Sequence, residues 1–310
     1  MKKICTFFVI FILFISSFLI LIKDEDYTVF KIQQDNKKYN INMKRNILSL
    51  MMAYSGYIVD IESCDDKVYL QMESGTKILY DDKKNKTMQE KINNPDLQDM
   101  MEESYNLNYI NEIPNGDPGR IRHYQLLKEV YGNTKKEIEI NLKNLRFANR
   151  YYAFNNKNNA YESLNKAING IMSICKVDNR IYKYIYPVSG TFNYRVISGT
   201  SRLSPHSFGI AIDLASDKSD YWKWASKEAG QKRLKAYPQD VVKIFEDNNF
   251  IWGGKWEHFD ILHFEYRPEF IYKAKYFDDE IDSSQPWYKG ANIKDKRTKL
   301  YIELIDNKIK

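Results

Sequence analysis

The sequence predicts an α+β fold, with two neighbouring strands flanked by helices behind an N-terminal extension that is itself α+β. Three observations predict it. From Gly209 to Leu214 the residues alternate: Ile210, Ile212 and Leu214 are apolar, while Ala211 and Asp213 take the other face, the period of a strand with one buried side. Ile261 to Tyr266 alternates likewise, with His263 and Glu265 on one face and Leu262, Phe264 and Tyr266 on the other. Before and between these runs, apolar residues recur at helical spacing. One set is Ala160, Leu164, Ile168, Ile171, Met172 and Cys175; the other, after Pro238, is Val241, Val242, Ile244 and Phe245 over residues 239–248.

Taken in order, the chain divides into four parts. Residues 1–23 read as a targeting segment: Lys2 and Lys3 precede an apolar run from Phe7 to Ile22, ended by Lys23-Asp24-Glu25-Asp26. The run is a little short of the ~20 residues of a spanning helix. The nearest candidate for a small-residue cleavage site is Ser16-Ser17, so an uncleaved membrane anchor is favoured over a removed signal peptide. Either way the body of the chain is expected to be exported.

Residues 24–155 form the extension. Ile47, Leu48, Leu50, Met51 and Tyr54 mark a short amphipathic helix over 46–57. Val68–Met72 and Lys77–Tyr80 read as two strands about the turn Glu73-Ser74-Gly75. Asn94-Pro95-Asp96 starts a helix running to Tyr105, and Pro114 to Gly119 is a dense turn cluster. Residues 120–131 read as a helix on which His123 is a surface or packing residue, and a strand is expected near Glu139 to Asn144. The catalytic part takes residues 156–275. Residues 276–310 are a basic tail, with seven basic against three acidic residues from Lys289 onward. A solvated, partly disordered segment is expected there, in preference to one that touches anionic wall polymers or headgroups.

Composition adds bounds. The formal net charge of +6 is mild, and with 24 Tyr, 16 Phe and 5 Trp, core packing must account for most aromatics. Cys64 and Cys175, the two cysteines beyond the targeting segment, make no disulfide framework, and whether they pair stays open. Cys175, on the apolar face of its helix, reads as a small buried hydrophobe. The absence of Cys-x-x-Cys argues against a thiolate metal site.

Chemistry concentrates between Ser204 and Arg267, where three of the four histidines lie: His206, His258 and His263. Neighbouring strands can aim Asp213 and His263 at one point. His206 can reach it from the preceding loop, where Pro205 discourages helix and Gly209 permits a tight turn. Two imidazoles and a carboxylate form a donor set for catalytic zinc, which keeps a fourth position open, and Asp260 is poised beside it. His258, next to Glu257 in a loop, is a competing ligand. Glu265 is a rival base, although its strand position better suits an ion-pair partner. Trp252 and Trp256 flank Gly253-Gly254, which can turn tightly. Tyr221-Trp222-Lys223-Trp224 is either a substrate wall or a core patch.

The pattern Ser204-x-His206-x-x-Gly209-x-Ala211-x-Asp213, then Trp252-Gly253-Gly254-x-Trp256, then Asp260-x-x-His263-Phe264-Glu265 resembles the M15 family of zinc peptidases. These are the D-alanyl-D-alanine carboxypeptidases and the related peptidoglycan L,D-endopeptidases. The resemblance is strong over 184–270 and continues more weakly through Tyr80–Lys84 and Asp117–Arg122. It implies the M15/Hedgehog-like peptidase fold, in which a small antiparallel sheet carries the zinc site and is flanked by helices. It also implies Zn2+ held by His206, Asp213 and His263, with Asp260 as general base. Arg195 is the expected partner of a substrate carboxylate or oxyanion, with Arg202 the alternative. Ser204 and Trp256 complete the candidate substrate-binding set, Ser204 alternatively supporting the metal ligands.

The expected function is hydrolysis of peptidoglycan stem peptides, as a D,D-carboxypeptidase or an L,D-endopeptidase. The expected partners are that peptide and, through the N-terminal segment, a membrane, with no nucleic acid. Two other classes stay open. One is a catalytically inactive zinc- or wall-binding module on the same fold, against which the acid at 260 argues. The other is a glycan-binding surface protein whose histidines are incidental.

Overall fold

The computed structural model describes residues 31 and 33–309. The expected anchor, Phe7–Ile22, lies outside the described residues; among those, no helix is long and apolar enough to cross a membrane.

Helix α1 occupies 33–53 and buries Ile47, Leu48, Leu50 and Met51. Strands β1 (Ile58–Cys64), β2 (Lys67–Met72) and β3 (Lys77–Leu79) follow as an antiparallel meander. The hairpin about residues 73–75 lies where the alternation puts it. The sequence reading misses β1 because a bulge between Ile58 and Asp60 buries Ile58 and Ile61, three apart, and so breaks the period of two. Helices α2 (Met88–Asn93) and α3 (Leu97–Met101) precede a long loop that runs to His123. His123 caps α4 (Tyr124–Tyr131), its Nδ1 accepting from Leu126 N at 3.2 Å. Burial pushes this imidazole down to about 4, so near neutral pH it is an uncharged acceptor.

The strand expected near Glu139 to Asn144 is displaced. Thr134 accepts from Glu137 N while Glu137 reaches back to Asn133 N at 2.9 Å, and this reciprocal cap starts α5 (Lys135–Ile140). Only then comes β4 (Leu142–Phe147), paired with β5 (Arg150–Asn155).

After β5 the apolar stripe of α6 (Ala160–Val177) buries Leu164, Ile168, Ile171 and Cys175. Short α7 (Tyr182–Ile185), β6 (Ala211–Asp213), α8 (Lys227–Ala236), α9 (Gln239–Asp247), β7 (Phe250–Trp252), β8 (His263–Tyr266) and α10 (Pro268–Tyr276) follow. β8 is the middle strand of an antiparallel sheet ordered β6-β8-β7. One face packs on α9, where Phe245 stacks on Phe264 with ring centroids 4.1 Å apart. The register sets Asp213 opposite His263 and Ala211 opposite Glu265. This mixed architecture of helices and small antiparallel sheets is the predicted α+β fold.

The C-terminal segment corrects one expectation. Residues 296–308 are not solvated, disordered chain but helix α11 (Lys296–Lys308), capped by Asp295, whose side chain accepts from Thr298 N. Ile302, Ile305 and Ile309 follow one another at helical spacing and are buried, each burial contributing about 1.5–3 kcal/mol. The basic count hid a stripe that needed only three apolar residues. One hydrophobic cluster runs from Met43 to Ile309, so the extension, the strands about the site and α11 share a core. Cys64 is exposed and Cys175 buried, and they do not pair.

Candidate metal centre

His206 sits on a single 3-10 turn, Pro205–Phe208. Ser204 caps it, its Oγ accepting from His206 N at 3.3 Å, and Gly209 closes it at φ +67. A Cβ at Gly209 would lie 2.9 Å from a Leu142 methyl and 3.2 Å from Asn155 N, so glycine serves both the left-handed backbone and the close approach of β5. The ring is held from behind. His206 Nδ1 is 2.6 Å from the Thr191 carbonyl oxygen, which can only accept, so the proton sits on Nδ1. Nε2 then aims its lone pair at Asp213 Oδ2, 3.2 Å away.

Asp213 ends β6, its backbone N–H donating to Gly190 O at 2.8 Å. Its other oxygen, Oδ1, is 2.8 Å from His263 Nδ1. The His263 ring packs between His206 and Trp256, with centroids 5.2 and 5.7 Å away. One ligand atom each from His206, Asp213 and His263 thus falls within a 4.8 Å group.

Asp260 stands beside them through a turn, because β8 begins only at His263. His263 N donates to Asp260 O at 3.1 Å, and Asp260 N to Gly253 O at 2.9 Å. A Cβ at Gly253 would lie 2.5 Å from that same Asp260 carbonyl oxygen, which ties the glycine pair to the position of the acid. Because the backbone turns between Asp260 and β8, the strand's alternation does not extend back to Asp260.

The electrostatics follow from crowding. Burial pushes the Asp260 carboxyl up to about 7; His263 and His206 pull it down, while Asp213 and Asp220 push it further up. Burial also opposes the charge on Asp213, but His206 and His263 outweigh it and hold that carboxyl well below the usual range. Burial alone would lower His263; its hydrogen bond to Asp213 and the carboxylates of Glu265 and Asp260 beside it instead raise it to about 10. Left to itself the cluster settles its charge by protonating an imidazole.

A divalent cation fits the same residues. The donor set is two imidazole nitrogens and one carboxylate, that of a catalytic zinc site. His206 has its remote nitrogen committed to a carbonyl, the arrangement that fixes metal-ligating histidines. His206 Nε2 and Asp213 Oδ2 stand 3.2 Å apart, so that one cation can take both once that nitrogen is unprotonated.

The remaining candidates separate. Arg195 is exposed, and no carboxylate pairs with it among the described residues. It acts on the Tyr221 phenol, which burial raises, Asp260 raises further, and Arg120 and Arg195 oppose. Tyr221 is bridged to Asp260 backbone to backbone. Arg202 donates to Ile92 O at 3.3 Å and leaves its buried Nε without a partner. Ser204 is occupied as the cap of the His206 turn. Trp256 is buried, its Nε1 donating to Pro118 O at 2.7 Å, and it backs His263 from within the core.

His258 is not in the metal group. Its Nδ1 is 2.7 Å from Asp117 Oδ2 and its ring stands edge-on to Trp222. Glu257 is exposed and takes part with Gly116. Glu265 is fully buried against Arg122, and that guanidinium, with help from Arg267, overcomes burial and holds it well below the carboxylate range. Thr191, whose contribution is a backbone carbonyl, carried no sequence signal. Arg122 does carry one, in Asp117-Pro118-Gly119-Arg120-Ile121-Arg122, but the motif by itself assigns it no chemistry.

No curated protein and no solved structure matches the chain. Residues 198–266 match the family model of the D-alanyl-D-alanine carboxypeptidases, and this segment contains all three candidate ligands and Asp260. Over the segment that builds this centre, the chain is similar to the M15 family of peptidases.

Proposed function

We propose that the chain is a zinc-dependent peptidase that hydrolyses peptidoglycan stem peptides outside the cytoplasmic membrane. The observation that carries the reading is the meeting of His206, Asp213 and His263 within 4.8 Å, with Asp260 beside them. Zinc held there supplies a Lewis acid that polarises a carbonyl and makes water acidic enough to attack near neutral pH. Asp260 would take the proton of the attacking water and hand it to the leaving amine, the work of a general acid–base group placed beside the metal. Thr191 keeps His206 in one tautomer throughout. Arg195, exposed and with no carboxylate partner among the described residues, offers its fork to a substrate carboxylate. Arg202 is the alternative partner. The Phe7–Ile22 run is the basis for placing the domain outside the membrane, and cytosolic native protein on fractionation would remove both that placement and the wall substrate.

The reading is tested by digesting purified peptidoglycan with the zinc-loaded protein and identifying the products by mass spectrometry. Loss of a terminal D-Ala gives a D,D-carboxypeptidase; cleavage inside the stem gives an L,D-endopeptidase. Zinc-loaded protein that releases neither fragment is instead a binding module on the same fold.

A further inference from the structure

We infer that Arg122, contributed by the N-terminal extension, is a positioning residue for the metal ligand His263, acting through Glu265. The inference rests on the metal-site reading above and adds to it a residue outside the matched segment.

The alternation of β8 sets His263 and Glu265 side by side on one face. Glu265 Oε2 stands 3.6 Å from His263 Nε2, longer than a formed hydrogen bond, and no other acceptor meets that nitrogen among the described residues. Arg122 holds both oxygens of Glu265: Nε at 2.8 and 3.1 Å and Nη2 at 2.5 Å. Its Nη1 donates to Arg120 O at 3.0 Å, which orients the guanidinium plane. From the other side Arg267 Nη1 is 3.4 Å from Glu265 Oε1 and is itself anchored on Gly119 O at 2.7 Å. Both arginines are thereby tied to the loop of the extension that precedes α4.

An ionised carboxylate only accepts. A Glu265 fixed in this orientation therefore calls for a proton on His263 Nε2, which leaves the Nδ1 lone pair on the side of Asp213 and the metal. Without the Arg122 fork, Glu265 has only Arg267 to turn towards, and the acceptor that selects this tautomer moves away. Buried ion pairs are often no more stabilising than apolar residues of similar volume. A wholly buried Arg–Glu–Arg row beside a ligand is therefore better accounted for by what it does to His263.

The test uses the full chain with Arg122→Lys and Arg122→Met. Zinc affinity is measured by chelator competition, the melting temperature of the metal-free form is recorded, and the tautomer of His263 is read from its ring-nitrogen NMR shifts in the zinc form. The expected result is a ~10–100-fold weaker zinc affinity in folded Arg122→Lys, the usual effect of losing such an outer partner. Its His263 spectrum should depart from the single Nε2–H tautomer expected of the wild type. Wild-type affinity and tautomer in a folded variant would overturn the inference and leave Arg122 as a clip for the loop. Should neither variant fold, the pair Arg122→Met with Glu265→Gln removes both charges together, and wild-type affinity there overturns it as well. If the wild type itself retains no zinc, the metal-site reading fails first and this inference with it; a wild type that binds zinc isolates the question of Arg122.

Discussion

Among the described residues, two places bring three potential metal ligands within 4.8 Å: Asp81, Asp82 and Asp96 in the extension, and His206, Asp213 and His263 on the sheet. By residue type the acidic trio looks the stronger cation site. Its neighbours say otherwise. Lys86, whose side chain is 8% exposed, places its ammonium 3.1 Å from Asp82, 2.8 Å from Asp96 and 2.6 Å from Asp99. Asp81 is met by the Tyr39 hydroxyl at 2.6 Å and by Lys83 at 3.3 Å. That cluster carries its own cation. Among the described residues no lysine or arginine pairs with the sheet cluster: Arg122 is bound to Glu265, and it is protonated imidazole that answers Asp213. Whether ligands await a metal depends on what already answers their charge.

The largest expected effect breaks the unbalanced cluster. His263→Ala removes one of three donors and should abolish both zinc retention and peptidase turnover. Asp82→Asn, in the balanced cluster, should leave the zinc content of the protein unchanged. Elemental analysis of the two purified variants checks both. Full zinc occupancy in His263→Ala would move the ligand role to His258, which Asp117 holds in this structure.

The next effect separates binding from catalysis at the same cluster. Asp260→Asn keeps size and removes the basic oxygen. Zinc content should stay near the wild-type level, while turnover falls by ~10²- to 10⁴-fold, as for a lost general acid–base group. Zinc lost together with activity would make Asp260 a ligand. Undiminished turnover would leave the base role to another group; Glu265 is poorly placed for it, being held by Arg122 and wholly buried.

The two clusters also differ in how far the sequence discloses them. The sheet cluster is legible because its ligands sit on regular alternation and in a spaced pattern, with Pro205 and Gly209 marking the turn between. Nothing local announces the role of Lys86. It lies four residues from Asp82 but 10 and 13 from Asp96 and Asp99, across the whole of α2. Arg122 is 143 residues from Glu265, and only the folded chain shows that they meet. β1 was hidden by its bulge, α5 by a cap that converts the expected start of a strand into a helix, and α11 by surrounding charge. In each case a local feature with its own physics overrode the period.

A third effect tests the balanced cluster. Lys86→Met removes the cation and leaves Asp82, Asp96 and Asp99 facing one another. Breaking a buried ion pair by deleting one partner costs about 3–5 kcal/mol, so urea unfolding at pH 7 should show a loss of that order. Zinc content per folded molecule should not change, because the lysine touches no residue of the sheet cluster. A variant as stable as wild type would mean that Lys86 is not what neutralises the trio.

The smallest effect is the pH dependence of that loss. Burial opposes ionisation of Asp82, but hydrogen bonds from Lys84 and Lys86 outweigh it and lower the carboxyl to about 2. A carboxyl depressed in the folded state stabilises the fold above its unfolded value of ~3.9, and the contribution is lost as pH falls through the folded value. Lys86 is one cause of the depression, so the variant has less to lose on acidification. The gap in urea midpoint between wild type and Lys86→Met should therefore narrow from pH 5 to pH 2 as Asp82 takes up its proton. Asp96 works the other way, since burial raises it and its proton arrives earlier, which widens the window but keeps the sign. A gap that stays constant over this range would show that the lysine acts through packing of its stem and not through charge. The contrast between the two clusters would then lose its electrostatic basis.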